Sequence, residues 1–356
     1  MARALDPPTD RVGKGLDAIP IALLKLVGRS QPAAMDWKAY AVAVLSYNAL
    51  LFVISFAILL AQGHLAVLNP DAKGDLTRMG FKDMAGAQQP DADTAVIFNT
   101  VCSFVTNTNL QHYSGEQHLS YFSQLAAIVW LQFVTPACGL AVMLAVIRGL
   151  RGECSLGDFY ADLIRSLCFV LIPLSVVVAT LLVATGVPMT LHGAVRASTL
   201  ERTEQMIAVG PVAAEVAIKQ LGTNGGGYFG PNSAHPFENP SPFSNLLEVA
   251  AILIVPMASI VMFGRMIADR AHATVIYGVM LAMLIVGTGV AIAAELQPSA
   301  AAAGLPVAGA GNLEGKELRH GPIASATWAA ITTATSNGSV NAMHDSFQPL
   351  GGLVPM

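Results

Sequence analysis

Residues 210–240 read GPVAAEVAIKQLGTNGGGYFGPNSAHPFENP. The part up to Leu221 is a mildly apolar stretch of about a dozen residues. A bilayer core needs roughly 20 apolar residues in a helix, so this stretch is too short to cross and suits a re-entrant half-helix. The GTNGGG that follows, residues 222–227, is rich in poor helix formers. On either side, residues 163–187 and 244–267 are long and apolar enough to span. Irregular backbone between spans is tolerated at membrane depth only where it is buried in protein or lines a watery path. The stretch therefore reads as a pore helix followed by an extended filter. Gly225, Gly226 and Gly227 permit backbone that aims carbonyls inward. The half-helix points its negative C-terminal end at the filter mouth. Both features suit a monovalent cation, whose hydration shell a set of carbonyls can replace.

The whole chain agrees with a membrane reading. It has 356 residues, 54% hydrophobic and 12% charged, where soluble domains carry about 25% charged residues. Mean hydropathy is +0.57. A disordered chain and a coiled coil are excluded, and an ordinary cytosolic enzyme does not fit. Net charge is -4, so no basic surface is offered to nucleic acid. Cys102, Cys138, Cys154 and Cys168 show neither disulfide-framework nor zinc spacing.

Five stretches reach spanning length: residues 40–62, 124–148, 163–187, 244–267 and 273–295. Pro173 and Pro256 lie inside spans, where neighbouring helices satisfy the freed carbonyls. Glu248 sits near one span end, to act within the bundle or to reach the interface. Eleven of the 19 Lys and Arg residues fall in the N-terminal segment and two short loops. These parts are expected on the cytoplasmic side and the long loops outside. No secretory signal is visible, and residues 19–27 suit a short interfacial helix.

The other two long loops repeat the design. Residues 94–124 read TAVIFNTVCSFV-TNTN-LQHYSGEQHLSYFSQ, and residues 321–352 read GPIASATWAAITTA-TSNGS-VNAMHDSFQPLGG. The central Asn107, Asn224 and Asn337 are 117 and 113 residues apart. His118 follows Thr106 by twelve residues, and His235 follows Thr223 by twelve. One Asn/Gly/Thr run alone is most simply an exposed turn. Three at matched spacing, each beside spans, favour pore loops. The fold class expected is an all-α polytopic membrane protein of span–pore loop–span repeats. Its parts are an N-terminal segment 1–38, repeats 39–148 and 159–267, and an incomplete repeat 273–356.

SFVTNTNLQHYSGEQHLSYFSQ, GTNGGGYFGPNSAHPFENP and TSNGSVNAMHDSFQPLGGLVPM resemble the first three filter regions of one family, the potassium-binding subunit of the Kdp-type potassium-transporting ATPase. GPVAAEVAIKQL, NLEGKELRHG and the connector after Arg148 extend the resemblance over roughly residues 12–356. It implies a channel-derived fold with four units around one filter, of which about two and a half are present here. It also implies a multi-pass subunit in the bacterial inner membrane, with the N-terminus of this chain cytoplasmic. Such a subunit is not an enzyme on its own. A P-type ATPase subunit hydrolyses ATP, and small accessory subunits assist. The cargo is K+, and no organic cofactor is expected. The filter positions carried over are Thr106, Asn107 and Thr108, then Thr223, Asn224 and Gly225, then Ser336, Asn337 and Gly338. Beside them lie Asn109, Gln111, Gly226, Gly227 and Thr335, and Gln111 matches a position that influences potassium affinity. Family members carry a further half-unit and a fourth unit. The chain is therefore read as a fragment, with an inactive remnant and a passive potassium channel or carrier as alternatives. Residues 71–93 form a longer loop than the resemblance explains.

Other constellations compete. GTNGGG lacks the preceding strand and following Lys-Ser/Thr of a phosphate loop. His235 with Glu238, and His112, Glu116 and His118, are candidate metal ligands or structural caps of the external loops. Glu116, Glu238 and Asp345 either concentrate cations at the vestibule or serve as hydrogen-bonded loop carboxylates. His344 and Asp345 lack a nucleophile and oxyanion arrangement for hydrolase chemistry. Tyr121, Phe122, Trp130, Tyr228 and Phe229 suit interfacial or filter-supporting packing.

Overall fold

The computed structural model describes residues 1–356 except 7–10, 27–30, 66, 72–89 and 299–310; at 11–16, 26 and 90–93 it describes the backbone alone. The long loop 71–93 thus lies almost wholly outside the described residues. Among the described residues, five helices are long and apolar enough to cross a membrane: Trp37–His64, Tyr121–Leu150, Phe159–Ala184, Pro242–Met266 and Arg270–Glu295. They match the five expected stretches to within a few residues. Three shorter helices alternate with them: Pro90–Val105 after the first span, Val212–Leu221 after the third and Gly321–Ala334 after the fifth. Among the described residues the only sheet is a hairpin, Val195–Ser198 paired antiparallel with Glu204–Ile207. The chain is an all-α polytopic membrane protein.

The span ends follow from local chemistry. Asp36 caps the first span through Ala39 N at 2.8 Å. Asp158 caps the third through Tyr160 N and Ala161 N. Ser241 and Ser244 form a reciprocal box around Pro242 in the first turn of the fourth. Asp269 caps the fifth. Each side-chain oxygen satisfies an N–H that the helix itself leaves open. Just ahead of Pro173, the third span widens into a π-helical turn over Leu167–Leu171. Pro173 donates no hydrogen bond, and the wider turn accommodates the unpaired carbonyl before it.

The second span is the most enclosed. Val212, Val216 and Leu221 of the second short helix and Leu140 and Leu144 of this span share one core. The first and fifth spans turn Leu45, Val53, Val275, Ile285 and Val286 outward, as a lipid-facing surface requires. The second short helix is thus held inside the bundle, with spans around it.

One ion-pair network ties the N-terminal segment to the ends of the second and third spans. Arg148 meets Asp162 at 2.5 and 3.1 Å, and Tyr40 Oη donates to Asp162 at 3.3 Å. Arg165 pairs with Asp17, and Arg151 with Asp6 at 3.4 Å. Asp162 is fully buried. Arg148→Met should therefore cost about 3 kcal/mol of stability, because it takes the nearer cation from a buried carboxylate that Arg165 meets only at 3.5 Å. Arg151→Met, at a pair more than a third exposed on both sides, should cost about 1 kcal/mol or less. Unfolding midpoints in one lipid or detergent compare the two.

Candidate functional site

The three short helices end in loops with one shared backbone pattern. In the second loop, Thr223 N donates to Gln220 O at 3.2 Å and Asn224 N to Lys219 O at 3.0 Å; φ is +50° at Thr223 and +86° at Gly225. In the third, Ser336 N donates to Thr333 O and Asn337 N to Thr332 O, with φ +59° at Ser336 and +87° at Gly338. In the first, Asn107 N donates to Phe104 O and Thr108 N to Ser103 O, with φ +62° at Asn107 and +52° at Asn109. This register places Thr108 with Asn224 and Asn337. Matching the three loops by their asparagines puts Asn107 there instead, one residue out. Left-handed backbone favours Gly and, among residues with side chains, Asn. The first loop fills both left-handed slots with Asn. The other two fill them with Thr or Ser and then Gly, so asparagine marks different slots in different loops.

Neighbouring loops lie against one another. The side-chain amides of Asn107 and Asn224 pair, and Thr135 Oγ1 donates to Asn107 Oδ1 at 2.8 Å. A side chain at Gly226 would meet Cβ of Asn109 at 3.2 Å. A side chain at Gly225 would overlap the Asn337 carbonyl oxygen and sit 2.7 Å from Ser339 N. Asn337 Nδ2 donates to Lys219 O at 3.0 Å and Ser339 Oγ to Gln220 Oε1 at 2.9 Å. The first loop thus packs on the second and the second on the third. At Gly338, the slot equivalent to Gly225, an added Cβ would meet nothing within 4 Å.

The loop carbonyls fall into two sets. Asn232 Nδ2 donates to Gly225 O at 2.6 Å, and Gln132 Nε2 to Gly226 O at 2.7 Å. Gln111 clasps the Gly227 peptide from both sides, donating to its oxygen at 2.8 Å and accepting from its nitrogen at 3.0 Å. Trp328 Nε1 and Thr332 Oγ1 both donate to Ser339 O. By contrast, the carbonyls of Thr106, Asn107, Thr108, Thr223, Asn224, Ser336, Asn337 and Gly338 accept no hydrogen bond from any described residue. Thr335 lies at the end of the third helix, its hydroxyl donating back to Ile331 O at 2.9 Å. A cavity of about 630 Å³ adjoins the first two loops, its polar lining made by Thr106, Asn107, Thr135 and Thr223 with Asn48 and Ser259.

A polar scaffold stands behind the second loop. Lys219, fully buried, pairs with fully buried Glu238 and donates to Asn232 Oδ1 at 2.8 Å and Ser233 Oγ at 2.7 Å. Glu238 Oε1 accepts from Phe229 N at 2.8 Å. Glu238 is thus placed as a buried loop carboxylate whose charge is matched by Lys219. Glu248 is also fully buried. It accepts from Gln220 and Ser233, each at 2.8 Å, and so braces the half-helix instead of reaching the interface. Glu116 accepts from Gly230 N at 3.0 Å, linking the first loop to the second. Asp345 is exposed. His235 stacks on Phe229 with centroids 3.7 Å apart, and burial lowers its pKa. Burial, aided by Arg319, pushes that of His320 down to about 4. At neutral pH these two imidazoles are therefore neutral.

Sequence reasoning missed Lys219, Gln132, Gln220 and Asn232 as the groups that hold the loops. The available signal was Lys219 itself, a cation in a mildly apolar half-helix whose other charge is Glu215. Gln111→Leu removes both halves of the clasp on Gly227. It should cost about 1–3 kcal/mol by leaving those peptide groups without a partner. Thermal unfolding against wild type measures this.

The sequence profile of the family described as potassium-transporting ATPase A subunit matches residues 1–356. The potassium-transporting ATPase potassium-binding subunit of Pseudomonas aeruginosa is 47% identical over 334 residues, 93% of this chain and 56% of that protein. The subunit of the same name from Listeria monocytogenes is 45% identical over 335 residues, 93% of this chain and 56% of that protein. That from Rhodospirillum centenum is 42% identical over 359 residues, 100% of this chain and 60% of that protein. The chain thus spans somewhat over half the length of these relatives. The spans, the short helices between them and the full-length match agree: the chain belongs to the family of potassium-transporting ATPase A subunits.

Proposed function

We propose that this chain supplies three of the filter segments of a potassium-selecting subunit, which hands K+ to an ATP-hydrolysing P-type partner. The observation that carries this reading is the set of carbonyls at Thr106–Thr108, Thr223–Asn224 and Ser336–Gly338 that accept no hydrogen bond from a described residue. They sit at the C-terminal ends of three half-helices, where the helix dipoles favour a cation. Carbonyl groups held in place around one ion compensate its lost hydration. In this reading Gly225, Gly226 and Gly227 position the second segment, since their own carbonyls are engaged by Asn232, Gln132 and Gln111. The units run over residues 39–148, 159–267 and 273–356, with the half-helices entering from the outside of a bacterial inner membrane and the N-terminal segment in the cytoplasm. The open side at Gly338 is where a further filter segment packs. Small accessory subunits complete the complex.

The test is complementation. A chimera in which the C-terminal remainder of the Pseudomonas aeruginosa relative follows Met356 is co-expressed with ATPase and accessory subunits in cells lacking potassium uptake. Growth at low external K+ is expected. Uptake should stop when ATP is depleted under a clamped membrane potential. Uptake that continued would instead identify a passive pathway.

A further inference from the structure

A cavity of about 880 Å³ opens where the second and fourth spans end and the fifth begins. Arg3, Arg151, Arg265 and Arg270 line it, with one carboxylate, Asp6. Asp6 is already engaged, by Arg151 at 3.4 Å and Arg148 at 3.7 Å. Arg151 also meets Glu153 at 3.0 Å. Arg3, Arg265 and Arg270 make no ion pair among the described residues. Three guanidinium groups with no ion-pair partner among the described residues, around one cavity, raise the local potential and favour an anion there.

A second cavity adjoins the first. It has a volume of about 310 Å³ and shares Gly264, Arg265 and Arg270 with it. It lies between the fourth and fifth spans, and its other walls include Ile260, Val261, Ala273 and Tyr277. A charged cavity at the end of the bundle therefore passes, through two arginines, into a mainly apolar groove between two spans. That order matches one class of molecule, an anionic head joined to a hydrocarbon chain. Guanidinium groups bind phosphate oxygens with directed, charge-assisted hydrogen bonds. Anionic lipid headgroups carry such phosphates at the cytoplasmic face. A free phosphate has no use for the groove, and a zwitterionic headgroup would bring an ammonium to a cavity with surplus positive charge.

We infer that Arg3, Arg265 and Arg270 hold the phosphate of an anionic phospholipid, with one acyl chain lying between the fourth and fifth spans. Native mass spectrometry of the full chain, titrated with phosphatidylglycerol or phosphatidylcholine of matched chains, tests this. Phosphatidylglycerol should be retained in preference. Arg265→Gln combined with Arg270→Gln should weaken its retention about tenfold or more, as expected for removing two interfacial cations. Val261→Trp, which narrows the groove and leaves the arginines intact, should weaken retention as well. Arg196→Gln, in the distant hairpin, should change nothing. Equal retention of both lipids would overturn the inference, as would unchanged retention in the double variant. Stabilisation by glycerol 3-phosphate equal to that by the lipid would also overturn it, by revealing a bare anion site. So would an acidic protein segment from a co-purified subunit displacing the lipid at stoichiometric amounts.

Discussion

Gly225→Ala should lower the unfolding midpoint of this chain far more than Gly338→Ala. The two glycines occupy the same slot in their loops, with φ +86° and +87°. Both substitutions incur the left-handed penalty of a residue with a Cβ, about 1–2 kcal/mol. Only Gly225 adds a collision: its Cβ would overlap the Asn337 carbonyl oxygen, so one of the two loop backbones must move. Overpacking of that kind costs a further 1–3 kcal/mol or so. Gly225→Ala should therefore be roughly twice as costly. In the full-length chimera, where a further segment is proposed to pack on Gly338, the gap between the two variants should narrow. Gly225→Asp and Gly338→Asp should each degrade potassium affinity or selectivity there, by adding bulk and charge beside the carbonyl set. Equal costs for the two alanine variants in this chain would show that the second and third loops do not touch as described.

The second large effect concerns the buried pair behind the loop. Lys219→Met leaves Glu238 charged, fully buried and without its cation, and Glu238→Leu does the same to Lys219. Breaking a buried pair from one side costs about 3–5 kcal/mol, whereas replacing both partners by apolar residues is far milder. The double variant should therefore be more stable than either single one, and the cycle should give a strongly non-additive coupling. Lys219 also orients Asn232, which holds Gly225 O at 2.6 Å. All three variants should thus lose potassium affinity in the chimera even where the double variant regains stability. Additive effects would mean that the pair contributes little to the scaffold.

The spans were legible because length and apolarity suffice to define them, and the half-helices because Val212–Leu221 is apolar yet too short to cross. The register of the first loop was not legible. Asn107 and Asn224 look equivalent in sequence, but their backbone slots differ, and only φ separates them. The scaffold was equally hidden. Gln132 reaches Gly226 from a span 94 residues earlier, and Gln111 reaches Gly227 across 116 residues. No local spacing encodes such partners. In sequence, Glu238 suits a vestibule charge or a loop carboxylate equally and Glu248 a role in the bundle or at the interface; burial and the partners Lys219, Gln220 and Ser233 place both as braces. The resemblance named the loop positions, and the hydrogen bonds distinguish carbonyls tied into the protein from those with no donor among the described residues.

The central claim, that the three loops form a potassium-selective carbonyl site, is tested most directly by ion-dependent stability. The purified chimera is unfolded thermally across a KCl titration and a NaCl titration, with choline chloride holding ionic strength constant. A bound ion stabilises the native state in proportion to RT ln(1 + [L]/Kd), about 2.7 kcal/mol at a hundredfold excess over Kd. The account predicts a saturable rise in the midpoint with K+, a much smaller one with Na+, and loss of the difference in Gly225→Asp. Identical curves for K+ and Na+ would contradict it.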